Sequence, residues 1–304
     1  MSDSNEESHD VEDETKIKGL NTAKEGMESD YWDKLPRGYL SISQVEQFLK
    51  CGEAYRQRYI LGKTTTSNNY MVQGRCVHFA AEQLNLNLIK KKEDEEPLGN
   101  EEIIQHYVDY HEKELKGDQE LELVEMPSWD AVKDEGVGLT RMYRLGALGQ
   151  IKDGKTGEPL VPLKPVAAEQ SIRVTLSPED SDPIPFVGIV DIVEDGSLAD
   201  IKVKNKQAPQ NEADNSIQLT IYAHVLGKPV VSLEQLVKKS KTKPARYVRS
   251  TSYRDSREAA HAVSIIGDVA VNIAEGRFPR THPGNWWCSQ KWCKFWDDCR
   301  GRKF

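Results

Sequence analysis

The sequence predicts an α/β (α+β) fold in which helices flank a mixed central β-sheet, and three observations carry that prediction. Apolar residues recur at helical spacing toward both ends of the chain, in 43–60, 73–90 and 256–274. Strand-like stretches lie between them, and two of these, FVGIVDIV (186–193) and LADIKV (198–203), flank Glu194-Asp195-Gly196-Ser197. Asp-Gly is a favoured two-residue reversal between strands, so this is the strongest hairpin signal in the chain. Helices, then strands, then helices again is the order of a sheet covered by helices.

Residues 1–31 carry the acidic stretch MSDSNEESHDVEDETK and read as a disordered leader unlike a secretory signal. Residues 32–304 read as a single domain, long enough to bury a core. The first helix, 43–60, follows Leu40-Ser41-Ile42-Ser43; Ser43 with Glu46 and Ser41 with Gln44 are competing capping boxes. Gly62–Asn69 is a polar turn, 73–90 a second helix, Lys90–Asn100 a charged break and 101–117 a more solvated helix. Several short strands are expected over 120–175, the clearest in LVPLKPVAAEQSIRVTL (160–176), where polar and apolar residues begin to alternate around Glu169. After the hairpin come a short helix from Asn215 to about Leu226, a strand at Val230–Val237, a further strand in ARYVRSTSY (245–253) and a long helix over 256–274.

No run approaches eighteen apolar residues, which argues against a membrane span and makes the cytoplasm the default location, with nucleus or organelle left open. The net charge of −8 argues against a surface built throughout for nucleic acid, but it is unevenly spread. Residues 1–30 carry ten acids against three lysines, whereas 228–304 carry sixteen Lys and Arg against seven acids. Within the latter, KKSKTKPARYVR (238–249) suits a stretch that tracks a phosphate backbone, or simply a solvated charge run.

If Asp195-Gly196 is the two-residue turn, cross-strand partners have numbers summing to 391, and Asp191 lies opposite Asp200. Directly opposed Cβ atoms stand about 5 Å apart, where two carboxylates repel unless a cation or a proton lies between them. Lys202 leaves the same face two residues on. Such oxygen ligands suit Mg²⁺ or Mn²⁺, and a metal there would activate a phosphodiester, with Lys202 orienting water or stabilising charge. The same three residues also suit a salt-bridged hairpin face. Glu169 offers a third carboxylate, His78 an imidazole, and Gln218 with Tyr222 share one helix face. Cys288, Cys293 and Cys299 crowd the C-terminus; with Cys51, Cys76 or His282 they make a four-ligand set for zinc or an iron–sulfur cluster.

Taken in order, these elements resemble the RecB-type branch of the PD-(D/E)XK nuclease superfamily, in particular AddB-type iron–sulfur exonucleases similar to Cas4. The resemblance runs from about Leu40 to Cys299 and rests on LSISQVEQFLKCGEAYRQRY (40–59), GRCVH (74–78), GIVD (188–191), DIK (200–202), QLTIY (218–222) and the terminal cysteines. It implies a restriction-endonuclease-like core whose N-terminal helix is tied to the C-terminus by a metal cluster. Asp191, Asp200, Lys202, Gln218 and Tyr222 would be catalytic; His78, Glu169, Asp191, Asp200 and the Ile201 carbonyl would hold Mg²⁺ or Mn²⁺. Cys51, Cys288, Cys293 and Cys299 would hold a 4Fe–4S cluster, with zinc as the alternative. The implied activity is exonucleolytic hydrolysis of DNA, from single-stranded ends, alongside recombination, repair or replication proteins. A structure-selective endonuclease and a non-catalytic DNA-binding module with structural zinc are the alternatives. The first gap between terminal cysteines is four residues, where this family usually has two.

Overall fold

The computed structural model describes residues 20–21, 32–117, 120–154, 156–179 and 182–301. Its elements are β1 (Leu20–Asn21), α1 (Ile42–Lys50), α2 (Gly52–Tyr55), β2 (Ser67–Asn68), α3 (Asn69–Lys90), α4 (Asn100–Leu115), β3 (Leu121–Glu122) and α5 (Trp129–Ala147). There follow β4 (Pro165–Leu176), β5 (Ile184–Glu194), β6 (Ser197–Lys204), α6 (Gln210–Asp214), α7 (Ile217–Leu226), β7 (Val230–Val237), β8 (Arg246–Tyr253) and α8 (Ser256–Ala274). The leader lies outside the described residues, apart from Leu20 and Asn21, which pair with Leu176 and Thr175.

Among the described residues the main sheet has six strands in the order β1-β4-β5-β6-β7-β8. Its neighbours are antiparallel except β6 and β7, which run parallel across the crossover through α6 and α7. The sheet is therefore mixed, as the sequence predicts. Helices cover both faces because the strands carry apolar residues on both. Val45 of α1, Leu219 of α7 and Ile266 of α8 join a cluster with Phe186, Val190, Leu198 and Val231. Val77 of α3, Ile103 of α4 and Leu139 of α5 join the other, with Ile192, Ala199, Ile201 and Leu236. No helix among the described residues is long and apolar enough to cross a membrane.

Four local expectations change. The predicted 43–60 helix breaks at Cys51, whose backbone is extended (φ −169°, ψ 112°), and resumes as α2 and a π-helical turn at Arg56–Ile60. Neither predicted capping box forms: Ser41 is the N-cap, its hydroxyl meets that of Ser43, and the Gln44 amide is used by the Tyr39 carbonyl and the Tyr55 hydroxyl. α3 begins at Asn69 because Asn68 caps it by accepting from the Met71 N–H.

The fourth change is α5, a 19-residue helix where short strands were expected. Gly136, Gly138 and Gly146 disguise it, since glycine lowers helix propensity by about 1 kcal/mol each. Two of these glycines are steric requirements. A Cβ at Gly136 would collide with the Tyr107 hydroxyl, and one at Gly146 with the ring of Tyr247.

The expected tie between the N-terminal helices and the C-terminus exists, made by packing and hydrogen bonds. The Gly52 N–H donates to the Pro279 carbonyl at 2.8 Å, and a side chain at Gly52 would stand only 2.7 Å from the Pro279 backbone. Phe278 stacks on Tyr55 at 6.2 Å and meets Phe48 edge-on at 6.4 Å. Trp287 Nε1 donates to the Lys50 carbonyl at 3.2 Å.

Two glycines of α5 predict opposite effects. Gly136→Ala forces Tyr107 out of its seat and is expected to cost about 1–3 kcal/mol. Gly138→Ala, whose Cβ meets nothing within 4 Å, is expected to stabilise by up to about 1 kcal/mol. Urea midpoints of the two variants check the sign of each.

Candidate active site

The site begins where the central sheet comes apart. β5 pairs with β4 along most of its length, and β6 with β7 along all of its own. Between β5 and β6 only Val193↔Leu198 and Ile192↔Ala199 are paired. Both pairs sum to 391, so the predicted turn and register stand, and Asp191 and Asp200 occupy the next step, where the ladder stops. The backbone edge of β5 that β6 leaves is taken by Leu40, which accepts from the Val187 N–H at 2.9 Å and donates to the Pro185 carbonyl at 2.8 Å. Leu40 leads directly into α1, so the opened seam also places that helix.

Asp191 is held in the gap by a bond that replaces the ladder: its Oδ2 accepts the Ile201 N–H at 2.7 Å. On β4, Ala168↔Ile192 and Gln170↔Val190 put Glu169 across from Asp191. Glu169 has φ +47°, a left-handed conformation that costs a non-glycine residue of order 1 kcal/mol. α3 brings His78 over the same point, with Nδ1 3.5 Å from Asp191 Oδ2. Ligating atoms of His78, Glu169 and Asp191 all lie within 4.8 Å of one another. Burial, then the charge of Asp200, pushes the Asp191 carboxyl up to about 6; burial, then Asp191, pushes Glu169 up to about 7. His78 and Glu169 also line a cleft with Arg75, Phe79, Glu82 and Tyr110.

Asp200, 3% exposed, stands beside this triplet with a different set of partners. Its Oδ1 accepts from Lys202 Nζ at 3.0 Å and from Gln218 Nε2 at 2.8 Å, while its buried Oδ2 stands 2.9 Å from the same ammonium as an ion-pair partner. Gln218 Oε1 accepts from Lys202 at 3.3 Å. Burial works to lower the Lys202 ammonium, but the charges of Asp200 and Asp191 outweigh it and hold it up at about 12. Lys202 is thus a fixed cation at neutral pH. Tyr222, one turn from Gln218, lies against Gly188, where a Cβ would come within 2.6 Å of the ring. That contact gives the glycine of GIVD its physical reason. The Ile201 N–H is the backbone group that engages Asp191.

Glu46 is the residue that sequence reasoning missed, having been read only as a capping partner. From α1 it lines a second cleft with Asp200, Lys202, Glu212 and Gln218. Burial, opposed by the Lys202 charge, raises its carboxyl above the usual range. Its position on the exposed face of an amphipathic helix carries no local signal, because its role depends on Leu40 filling the seam. The basic stretch 238–249 is also reassigned in part. Lys238 is buried and pairs with Glu135 at 3.0 Å, Tyr247 is buried against Gly146, and Arg249 pairs with Glu234 at 2.8 Å.

The iron–sulfur expectation, with zinc as its alternative, is corrected. Cys51, Cys288, Cys293 and Cys299 line one cavity, but among the described residues no three of their sulfurs lie within 4.8 Å of one another. The ligating group that does converge is His78, Glu169 and Asp191, which contains no thiolate. Burial pushes the Cys293 and Cys299 thiols above their ordinary range. Packing and hydrogen bonds, described above, make the tie that the cluster was expected to supply. Cys76 is a buried thiol of the helical core.

The opened mixed sheet thus gathers a His–Glu–Asp triplet that could hold a metal ion, beside an Asp–Lys pair. The family model of the PD-(D/E)XK nuclease superfamily matches residues 39–300, and the chain belongs to that superfamily. No curated protein matches it. Among solved structures, a putative exonuclease from Eubacterium rectale is similar at 13% identity and a TM-score of 0.49, covering 92% of this chain and 95% of its own. SSO0001 is similar at 18% identity and a TM-score of 0.33 over 45% of this chain, which spans 61% of the length of SSO0001.

The raised carboxyls set a pH dependence with a definite sign. Both fold with pKa values above their unfolded values of about 4, so the metal-free folded chain binds these protons more tightly than the unfolded chain. Their contribution to stability is full below about pH 4 and is lost as pH rises through about 6 and 7. Asp191→Asn is therefore expected to stabilise the chelated protein by on the order of 1–3 kcal/mol at pH 8 and to change little at pH 4. Denaturant titrations at the two pH values check this; an equal effect at both would contradict it.

Proposed function

We propose that the chain is a divalent-metal-dependent deoxyribonuclease that hydrolyses DNA from single-stranded ends. The observation that carries this reading is the convergence of His78, Glu169 and Asp191 beside a further buried carboxylate, Asp200. Carboxylates gathered in a low-dielectric site repel one another, and a cation held between them relieves that repulsion. Carboxylate oxygens suit Mg²⁺ and Mn²⁺, and an imidazole among them favours Mn²⁺. Held by these residues, such an ion supplies charge neutralisation and Lewis-acid activation of a phosphodiester.

The remaining roles belong to the side chains. Glu169 and Asp191 must first lose the protons that burial and mutual repulsion retain, so ion affinity rises with pH through about 6 and 7. Lys202 remains protonated, which suits it to stabilise the charge that develops on the phosphate oxygens and makes it a poor general base. Gln218 holds Lys202 and Asp200 in one hydrogen-bonded unit, so it is a positioning residue. Tyr222, lying on Gly188, fixes the α7 face from which Gln218 projects. The Ile201 N–H keeps Asp191 turned into the gap.

End-labelled single-stranded DNA incubated with Mg²⁺, Mn²⁺ or chelator tests the reading. Cleavage is expected with either ion, at lower concentration for Mn²⁺, and not with chelator. Lys202→Ala is expected to bind the strand and to lose cleavage by roughly 10²-fold or more. A circular single strand is expected to survive. Undiminished cleavage by the variant, or efficient cutting of the circle, would contradict the proposal.

A further inference from the structure

The C-terminal segment puts its largest apolar side chains in water. Trp286 is 65% exposed and Trp292 49%, with ring centroids 5.6 Å apart and planes nearly perpendicular. Lys291 Nζ lies 4.7 Å over the ring of Trp292. Exposed aromatic groups of this size on a folded surface mark contact sites. Trp292 also lines the groove between this segment and α1–α2, where five cations (Lys50, Arg58, Arg280, Lys294, Arg300) face a single acid, Glu53. Lys294 pairs with Glu122 and Lys291 with Glu125, but Lys50, Arg58 and Arg280 form no ion pair among the described residues. Arg300 lies over Trp296 with its Nε shielded and unbonded among the described residues.

The groove adjoins the candidate site through one helix. Glu46 of α1 lines the cleft of Asp200 and Lys202, and Lys50, four residues on and about 6 Å along the axis, lines the groove. Exposed π-faces with interleaved cations are what an unpaired strand requires, since every base can stack and every phosphate can be neutralised. A duplex offers no free base faces. The buried Tyr247 leaves the 238–249 stretch without an exposed aromatic, whereas this groove is lined by the exposed Trp292, with the exposed Trp286 against it.

We infer that the groove between α1–α2 and the C-terminal segment binds an unpaired DNA strand, with bases stacked on Trp286 and Trp292 and phosphates against Lys50, Arg58 and Arg280. The inference rests on the nuclease reading for the identity of its ligand, and it assigns the groove the task of leading that strand to the metal centre.

Fluorescence anisotropy with a labelled 20-mer of thymidine, with chelator present, reads binding without cleavage. The Trp286→Ala/Trp292→Ala protein is expected to bind roughly 10- to 100-fold more weakly, and phenylalanine at both positions to restore most of the affinity. A blunt duplex is expected to bind the two proteins alike. Quenching of tryptophan emission by the 20-mer, smaller in each single alanine variant, tests the same contact should the double variant be unstable. Unchanged 20-mer affinity, an equal loss for duplex, or no quenching in the parent protein would overturn the inference and leave the surface to a protein partner. Asp191→Asn keeps the two readings apart. If that variant still cuts, the nuclease reading fails, while anisotropy judges the groove separately.

Discussion

Three carboxylates from neighbouring strands, Glu169, Asp191 and Asp200, occupy one row of the sheet; the charge of Asp200 makes Asp191 harder to ionise, and that of Asp191 does the same to Glu169. At about 5 Å and an effective dielectric of about 20, one such pair repels by roughly 3 kcal/mol. No continuous β-ladder would gather them without compensation. The compensation is local and visible: the β5–β6 ladder stops short of the row, Glu169 adopts a left-handed backbone, and Lys202 is drawn against Asp200. Protons held by Asp191 and Glu169 complete the balance when no cation is bound. A structure that accepts this arrangement across its central strands is organised around positive charge at that point.

The opened seam also explains parts of the fold that look unrelated. Leu40 satisfies the backbone of β5 that β6 leaves, and so aims α1 along the gap. α1 then presents Glu46 to the Asp200–Lys202 cleft and Lys50 to the groove under the tryptophans. The extended residue Cys51 and the side-chain-free Gly52 let the chain turn closely against Pro279, fastening the start of the domain to its end.

Much of this was legible in the sequence where a local rule sufficed. Asp195-Gly196 fixed the hairpin register, and period-2 alternation then placed Asp200 and Lys202 on one face, where they pair. Gln218 was legible because four-residue spacing sets it beside Tyr222, over the same point. Legibility failed where tertiary contacts override local preference. α5 hides behind glycines that exist for Tyr107 and Tyr247, rings contributed by residues distant in sequence. The 43–60 periodicity continued past Cys51 because nothing local signals the approach of Pro279. The terminal cysteines were read by spacing, yet their placement follows tryptophan packing and the turn of the chain, which spacing does not encode. Glu46 had no signal of its own; its role depends on which edge Leu40 covers.

Calorimetric titration of the metal-free chain with Mn²⁺ at pH 6, repeated in buffers of different ionisation enthalpy, measures the central claim most directly. The account predicts one tight site per chain whose filling releases protons, and whose affinity collapses in His78→Ala, Glu169→Gln and Asp191→Asn proteins alike. Binding of the same strength and stoichiometry in those variants, with no proton release, would place the ion elsewhere and contradict it.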